Sequence, residues 1–345
     1  MLKNILNKFE LNKGDIITLL QAKDENEINL IFQKADEVRK KYCGNEVHLR
    51  GIIEFSNYCE QNCLYCGLRK DNSSLERYRM TIDEILQTAE KIYEAGIKTI
   101  VLQSGEDITC TGNEIAEIIR LIKNEFDVAI TLSLGERDYE DYKLWKKAGA
   151  DRYLLKHETA NPKLYSIYHL GQMLQDRIQH LLYLKSLGYQ IGSGNIVGLP
   201  NQTLEDIAGD ILLCKQLDVD MASFSPFIPS PDSPYRKQKR CDVNFILLVM
   251  AIARIVLKNV HIPATTALAT LDPEGREKGL RAGANVIMPN FTPAPYKEKY
   301  SIYANKKTDD NIMHYVIEAA ASEGRIISET KGQSLKLSTE VTQNE

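Results

Sequence analysis

The chain lacks any run of about 18 consecutive apolar residues, so no segment is expected to span a membrane. Its opening, Met1-Leu-Lys-Asn-Ile, has no long apolar stretch of the kind a signal peptide carries. A dominant charge is also missing: 43 Lys and Arg face 47 Asp and Glu, a net charge of −4. No basic excess points to nucleic acid, and no acidic block points to a disordered tail. There is no disulfide pattern. Of seven cysteines, Cys43, Cys110, Cys214 and Cys241 are scattered and three are clustered, which points to a reducing cytoplasm. No low-complexity linker divides the 345 residues, 43% of them hydrophobic. One large domain can therefore bury a sizeable core without disulfide staples.

What is present is a rhythm. Two amphipathic segments, roughly Lys13–Leu20 and Asn26–Lys41, read as helices from apolar residues three and four apart. Residues 1–44 are accordingly expected to form an N-terminal helical extension. Strand-like apolar runs follow at Val47–Phe55, Thr99–Gln103, Ala129–Leu134, Arg152–His157, Gln190–Leu199, Ala222–Ile228, His261–Ala267 and Asn285–Met288. Helical stretches separate them at Ile82–Ala95, Asn113–Asn124, Tyr139–Ala148, Leu174–Leu187, Leu204–Leu217, Val243–Leu257 and Asp272–Arg281. This alternation predicts an α/β fold of parallel βαβ units. Right-handed crossovers on eight strands close into a complete (β/α)8 TIM-type barrel, expected over residues 45–305. An open doubly wound sheet fits less well, because no run is an obvious edge. Gly96, Gly149, Gly188 and Gly283 stand where helices should end in left-handed caps. Residues 306–345 predict a helix over Asn311–Ser322 and a polar tail, whose last dozen residues read as disordered.

The clustered cysteines fall in Asn57-Tyr-Cys59-Glu-Gln-Asn-Cys63-Leu-Tyr-Cys66-Gly67, a Cys-x3-Cys-x2-Cys spacing. Three thiolates on one short loop can hold three irons of a [4Fe-4S] cluster and leave the fourth open to a small molecule. The loop follows the first strand directly, which places it at the C-terminal mouth of a barrel, where active sites are built. Zinc is the alternative. A structural zinc site usually takes four ligands, often from two Cys-x2-Cys pairs. No second pair exists, and His48 and His261 are isolated strand residues. The spacing, with aromatic Tyr65 before the last cysteine, resembles the radical S-adenosylmethionine (SAM) superfamily. That resemblance implies SAM chelated to the open iron and cleaved by one electron to a 5′-deoxyadenosyl radical.

Polar residues recur at the other strand ends. Gln103-Ser104-Gly105-Glu106-Asp107 follows the second strand, and Gly105 permits close backbone approach. An ordinary strand-to-helix turn reads there equally well without the cluster. Thr131 and Ser133 end the third strand. The fourth ends in Lys156-His157-Glu158-Thr159, and alternation points Lys156 and Glu158 to one side. Two buried charges are costly unless matched to each other or to a ligand. Arg177 can orient a carboxylate bidentately, although alone it reads as a surface residue. The Gly192-Ser-Gly194-Asn195 strand is neither a P-loop nor a dinucleotide fingerprint and suits close approach of a bulky ligand. Later strands bring Met221, Thr265, Thr266, Met288 and Asn290. Hydroxyls with Lys156 would make an anion-friendly cavity floor.

Longer segments carry a narrower resemblance. They are Phe55-Ser-Asn-Tyr-Cys59 through Cys66-Gly-Leu-Arg69, Arg77-Tyr-Arg-Met80, Val101-Leu-Gln-Ser-Gly-Glu-Asp107, Arg152-Tyr-Leu-Leu-Lys-His-Glu-Thr-Ala-Asn-Pro162, Ile262-Pro-Ala-Thr-Thr266 and Ala284-Asn-Val-Ile-Met-Pro-Asn290. In this order, over about residues 45 to 305, they resemble the HydE family of [FeFe]-hydrogenase maturases. The resemblance implies SAM contacts from Gly105, Glu106, Glu158, Arg177 and the backbone at Met221. It implies substrate or anion contacts deep in the barrel from Gln103, Thr131, Lys156, Thr265, Thr266 and Met288, with Tyr300 and Tyr303 near the adenosine end. Tyr65, Gln103 and Thr131 count with the cofactor-binding set, and Lys156, Thr265, Thr266 and Met288 form the catalytic set. The implied substrate is an iron–carbonyl–cyanide–cysteine synthon attacked at its cysteine sulfur. Implied partners are a reductant such as a ferredoxin or flavodoxin and other hydrogenase maturation proteins; neither nucleic acid nor membrane is expected. Some family members carry a second cysteine triad near the C-terminus. No cysteine follows Tyr303 here, so a single cluster is expected. Two alternatives stay open: a radical SAM enzyme acting on a small organic substrate, of the biotin synthase or methylornithine synthase type, and a non-catalytic Fe-S carrier or scaffold.

Overall fold

The computed structural model describes residues 2–306 and 312–336. The N-terminal segment forms α1 (Leu2–Leu6), α2 (Lys13–Leu20) and α3 (Glu25–Cys43). Asn12 and Asp15 cap α2 reciprocally and Asp24 caps α3, satisfying amides that a helix start leaves without partners. Next come β1 (Glu46–Leu49), β2 (Gly51–Ser56), α4 (Ile82–Glu94), β3 (Thr99–Ser104), α5 (Gly112–Glu125), β4 (Ala129–Ser133), α6 (Tyr139–Ala148) and β5 (Arg152–Leu154). They are followed by α7 (Pro162–Tyr168), α8 (Leu174–Ser186), β6 (Gln190–Val197), α9 (Leu204–Gln216), β7 (Met221–Pro226) and α10 (Val243–Leu257). The chain continues through β8 (Pro263–Ala264), α11 (Thr266–Leu271), α12 (Gly275–Arg281), β9 (Val286–Ile287) and α13 (Ala294–Lys297) to α14 (Ile312–Ser322) and β10 (Ile326–Ile327).

This is an α/β fold of parallel sheets. One sheet runs β10-β1-β9-β8 and the other β2-β3-β4-β5-β6-β7. Isolated parallel bridges, Ile52 to Asn290 and Met221 to His261, join the two. They are backed by Ile52 N–H to Pro289 O and Ala222 N–H to His261 O, each 2.9 Å. Parallel strands gather their C-terminal ends, and the loops that leave them, at one end of the molecule. Capping boxes at Thr81–Glu84, Thr111–Glu114 and Thr203–Asp206 start α4, α5 and α9. The four expected glycines follow helices with positive φ. α10 is buried from Ile246 to Leu257, and a helix apolar on all sides needs cover all round. α3 packs on α10, and α2 lies against α9 and α10, so the N-terminal helices complete the outer layer.

Several expected boundaries shift. The first strand divides at Arg50 into β1, paired with β9 and β10, and β2, paired with β3. The seventh stops at Ala264, because Thr265 turns to cap α11 and accepts from Leu268 N–H at 3.2 Å. The expected C-terminal helix is present as α14, with residue 311 outside the described range.

The tail holds the largest surprise. Beyond α14 the chain crosses the N-terminal ends of the strands and seals them. Lys331 O accepts from Thr99 Oγ1 (2.9 Å) and Arg152 Nη2 (2.6 Å), and Gly332 O accepts from Arg152 Nη2 (2.8 Å). Gln333 O lies 2.9 Å from His261 Nε2, and Ser334 bonds Asp220. Of the dozen residues expected to be disordered, 334–336 belong to this seal, and 337–345 lie outside the described range. Polar residues gave no apolar signal for it; backbone carbonyls make the contact.

Candidate active site

Cys59, Cys63 and Cys66 lie on the loop that leaves β2. Side chains close this loop by binding its backbone. Arg77 donates to Asn57 O (2.6 Å), Leu68 O (2.9 Å) and Arg69 O (2.7 Å). Asn57 accepts from Tyr78 N–H (2.8 Å) and donates to Lys299 O (2.9 Å). At Gly105 a Cβ would stand 2.3 Å from Tyr58 O and 2.7 Å from Cys59 Cβ. Only glycine lets the cysteine loop lie against the end of β3.

Burial pushes the Cys63 thiol well above its ordinary value, helped by Cys66 and Cys59, and pushes Cys66 to about 12, helped by Cys59. Three thiolates cannot share this place unaided. An iron centre reverses the balance, because a coordinating thiol is deprotonated outright. Leu68 N–H, 3.4 Å from Cys66 Sγ, is a donor already aimed at such a sulfur. Among the described residues no three His, Cys, Asp or Glu side chains converge on a point that suits one metal ion. The triad therefore fits a centre of several irons better than a structural zinc, which needs four close ligands. Cys43, Cys110, Cys214 and Cys241 are free thiols.

A buried acid–guanidinium group flanks the loop. Glu106 accepts from Gln61 Nε2 (2.6 Å) and Glu136 N–H (3.1 Å). Arg177 is buried on α8 and not at the surface. Its Nε lies 2.6 Å from Glu136 Oε1, and its Nη2 lies 3.7 Å from Glu106 Oε1. Burial raises the Glu106 carboxyl, and Arg177 opposes that. Glu60 N–H donates to Glu106 O at 3.0 Å, so this group sits directly beside Cys59.

The strand ends enclose a cavity of about 350 Å3. One wall carries Cys63, Tyr65 and Cys66; the others carry Gln103, Lys156, Glu158, Thr265, Thr266, Met288, Tyr300 and Tyr303. Lys156 Nζ lies 3.1 Å from Glu158 Oε2, an oxygen with no hydrogen bond among the described residues. Glu158 has φ 60°, uncommon outside glycine and a mark of strain at functional sites. Its backbone is fixed by Glu158 N–H to Gly194 O, 2.9 Å. Tyr300 OH accepts from Gln103 Nε2 at 3.3 Å.

Thr131 and Met221 are not brought to this cavity. They line a second, deeper cavity of about 30 Å3 with Arg50, Ser223 and Met288, room for about one water. Arg50 Nη1 lies 2.6 Å from Met221 Sδ, while Arg50 Nε and Nη2 and Thr131 Oγ1 find no hydrogen-bond partner among the described residues. Met221 opens β7, whereas Ser225 and Pro226 at the far end of that strand reach the main cavity. Met221, expected to offer its backbone to SAM, thus lies at the start of its strand, outside the lining of the main cavity.

Sequence reasoning missed three residues here. His169 Nδ1 lies 3.3 Å from Cys63 Sγ and its Nε2 lies 3.1 Å from Tyr65 OH; a lone loop histidine gave no signal. Lys306 forms a buried ion pair with Glu54 on the cavity wall. An acid inside the apolar run Gly51-Ile-Ile-Glu54-Phe-Ser56 was the available signal for that pair.

The fold and the three-cysteine loop define a radical SAM enzyme, and residues 53–214 match the Radical SAM superfamily model. Within that superfamily the chain belongs to the HydE family. It is 50% identical over 301 residues to the [FeFe] hydrogenase maturase subunit HydE of Thermotoga maritima, covering 87% of this chain and 86% of the relative. A 3-methylornithine synthase of Methanosarcina acetivorans is 30% identical, covering 83% and 81%. The crystal structure of methylornithine synthase PylB superposes with a TM-score of 0.85 at 25% identity, covering 95% of this chain and 97% of that one. Membership implies a [4Fe-4S] cluster and SAM. No helix among the described residues is long and apolar enough to cross a membrane.

Proposed function

We propose that this chain is a cytoplasmic maturase that acts on an iron–carbonyl–cyanide–cysteine complex on the way to the diiron subcluster of [FeFe]-hydrogenase. The observation that carries this reading is the single cavity shared by two cluster cysteines and the Lys156–Glu158 pair. Half-identity to a HydE over most of both chains favours it above the small-substrate enzymes, which match at 30% or less. The two bridged seams support closure into a complete (β/α)8 barrel over 45–305, with the helices of 1–44 outside it and 306–345 carrying the C-terminal helix and tail.

When bound, the cluster and SAM supply a 5′-deoxyadenosyl radical to the cavity. Cys59, Cys63 and Cys66 would hold one cluster. Glu158, whose Oε2 is ion-paired with Lys156 but makes no hydrogen bond among the described residues, is a receptor for the SAM ammonium. Gly105, Glu106 and Arg177 flank the cysteine loop outside the cavity lining, and Arg177, of a type that suits a carboxylate, is the proposed partner of the SAM carboxylate. Tyr65, Gln103, Tyr300 and Tyr303 offer aromatic and amide surface for the nucleoside. Lys156, Thr265, Thr266 and Met288 face the remaining space, where an ammonium and hydroxyls suit an anionic substrate. Thr131 and Arg50, with unsatisfied donors below, extend that preference inward. Reduction needs an outside protein such as a ferredoxin or flavodoxin, and the product passes to other hydrogenase maturation proteins.

Anaerobic reconstitution tests the reading. The iron-loaded protein, given dithionite and SAM, should release 5′-deoxyadenosine, and should support hydrogenase activation in a reconstituted maturation mixture. Full iron without 5′-deoxyadenosine would sink the enzyme reading. Deoxyadenosine without activation would return the small-substrate alternative to first place.

A further inference from the structure

Two exposed features meet at the cysteine loop, and neither takes part in the cavity. The first is apolar. Ile167, Leu170 and Met173 are 45%, 54% and 63% exposed, around the turn between α7 and α8. The turn grips the loop from outside: Leu64 N–H donates to Tyr168 O at 3.0 Å, and His169 Nδ1 lies 3.3 Å from Cys63 Sγ. The second feature is cationic. Arg236-Lys237-Gln-Lys239-Arg240 is exposed throughout and sets four positive charges in five residues, in a chain of net charge −4. It is tied to the same loop residue, for Tyr235 N–H donates to Leu64 O at 3.2 Å. The Tyr168 and Tyr235 rings meet edge to face at 6.2 Å. The apolar turn and the basic run therefore adjoin across Leu64, between Cys63 and Cys66.

A charge run alone is usually a solvated face. This one borders exposed apolar side chains and the buried donors of a redox centre, and an apolar centre with a charged rim is the anatomy of a protein interface. We propose that this face docks a small acidic one-electron carrier protein, which reduces the cluster past His169 and Cys63. The proposal rests on the radical SAM reading and names where its electrons enter. One electron leaves the carrier and one arrives at the cluster; no bond forms or breaks and no proton moves. Leu170 follows His169 directly, about 3.8 Å between α-carbons, so a carrier seated there is one side chain from a ligand sulfur. The occupant's charge follows from the four cations, which would steer an acidic surface and suppress a basic one. Carriers need only a small, transient contact, below about 1,200 Å2.

The test uses anaerobic, iron-loaded holoenzyme and the hydroquinone form of an acidic flavodoxin. Wild type is compared with R236Q/K237Q/K239Q/R240Q for 5′-deoxyadenosine release driven by dithionite or by flavodoxin. The dithionite rate should be equal in the two proteins. The flavodoxin rate should fall at least tenfold in the variant at low salt, and in wild type it should fall as salt rises. Carbodiimide coupling of wild type should join flavodoxin carboxylates to Lys237 or Lys239, a readout that holds even if the variant folds poorly. Equal flavodoxin rates, or crosslinks mapping elsewhere, overturn the proposal. So does binding to anionic vesicles or RNA with no flavodoxin crosslink. Failure of wild type with dithionite at full iron would instead overturn the underlying reading.

Discussion

The two ends of the strands treat buried charge in opposite ways. At the N-terminal end Arg152 is fully buried and its guanidinium is satisfied inside the protein: Gln190 Oε1 at 2.9 Å, Thr99 Oγ1 at 3.3 Å, Lys331 O at 2.6 Å and Gly332 O at 2.8 Å. At the mouth Glu158 Oε2 has only the Lys156 ammonium beside it and no hydrogen bond among the described residues, and three thiols crowd into a pocket that resists their ionisation. Native proteins rarely leave buried polar groups unpaired. The satisfied Arg152 seal holds the molecule together, although His48 Nδ1 and two Arg50 nitrogens near it find no partner among the described residues, and the mouth waits for a ligand. Mutations should divide accordingly, into losses of stability at the floor and losses of binding at the mouth.

The largest effect belongs to the mouth. Cys63→Ala should abolish the four-iron absorption and EPR signals and all SAM cleavage, while the apoprotein unfolds at the same temperature as wild type. An unchanged EPR signal would remove Cys63 from the ligand set. The floor comes next. Arg152→Met keeps volume but leaves the Gly332 carbonyl and Gln190 Oε1 without donors, at about 1–3 kcal/mol each, while Lys331 O keeps only Thr99 Oγ1. Unfolding of the apoprotein in urea should show a loss of about 4 kcal/mol, with the SAM dissociation constant of the reconstituted protein unchanged. Weaker SAM binding with intact stability would break the division between the two ends.

Acid sharpens the comparison further. Burial holds His48, at the floor, down to about 4, and Arg50 adds to this. The fold therefore keeps His48 neutral. As pH falls below the ordinary 6.5 the unfolded chain takes a proton first, and stability declines until about pH 4, where the folded state takes one too. That interval corresponds to on the order of 3 kcal/mol. His48→Gln should flatten the apoprotein's stability profile over that window by that order. His169 at the mouth, pushed by burial to about 3, has the same sign, so part of the slope should survive. A profile identical to wild type would show that His48 is not kept neutral by the fold.

The legible part of the molecule follows the same division. Repeating apolar runs marked the helices and most of the strands, because burial along an element is local and periodic. The cysteine triad was legible from spacing alone. Gly105 was singled out for close approach, and it is the cysteine loop that approaches. The floor was not legible. Its contacts join polar residues to backbone carbonyls over 179 positions, as in Arg152 to Lys331, and no periodicity announces such a bond. The place of Met221 was illegible for a related reason: its strand was recognised but not that Met221 opens it, away from the main cavity. Lys306 approaches Glu54 from 252 positions away, so the sequence offered only the odd acid in an apolar strand.

Glu158→Gln should give the smallest effect and the most specific one. The substitution is isosteric and the new residue bears the same φ 60° as any non-glycine would, so the backbone strain is unchanged and stability should move little. The side-chain charge disappears. Lys156, 3.1 Å away, then loses its counter-charge, and a ligand ammonium loses an acceptor that is ionised. A hydrogen bond to a charged group exceeds one to a neutral group by about 1 kcal/mol or more, so SAM should bind roughly tenfold more weakly, about 1.4 kcal/mol. Iron content should stay at the wild-type level, because Glu158 is not among the thiol donors. Calorimetry on the iron-loaded proteins reads the affinity, and an iron assay reads the content. Equal SAM affinity would mean that Glu158 serves Lys156 alone, and that the mouth is more finished than its unpaired atoms imply.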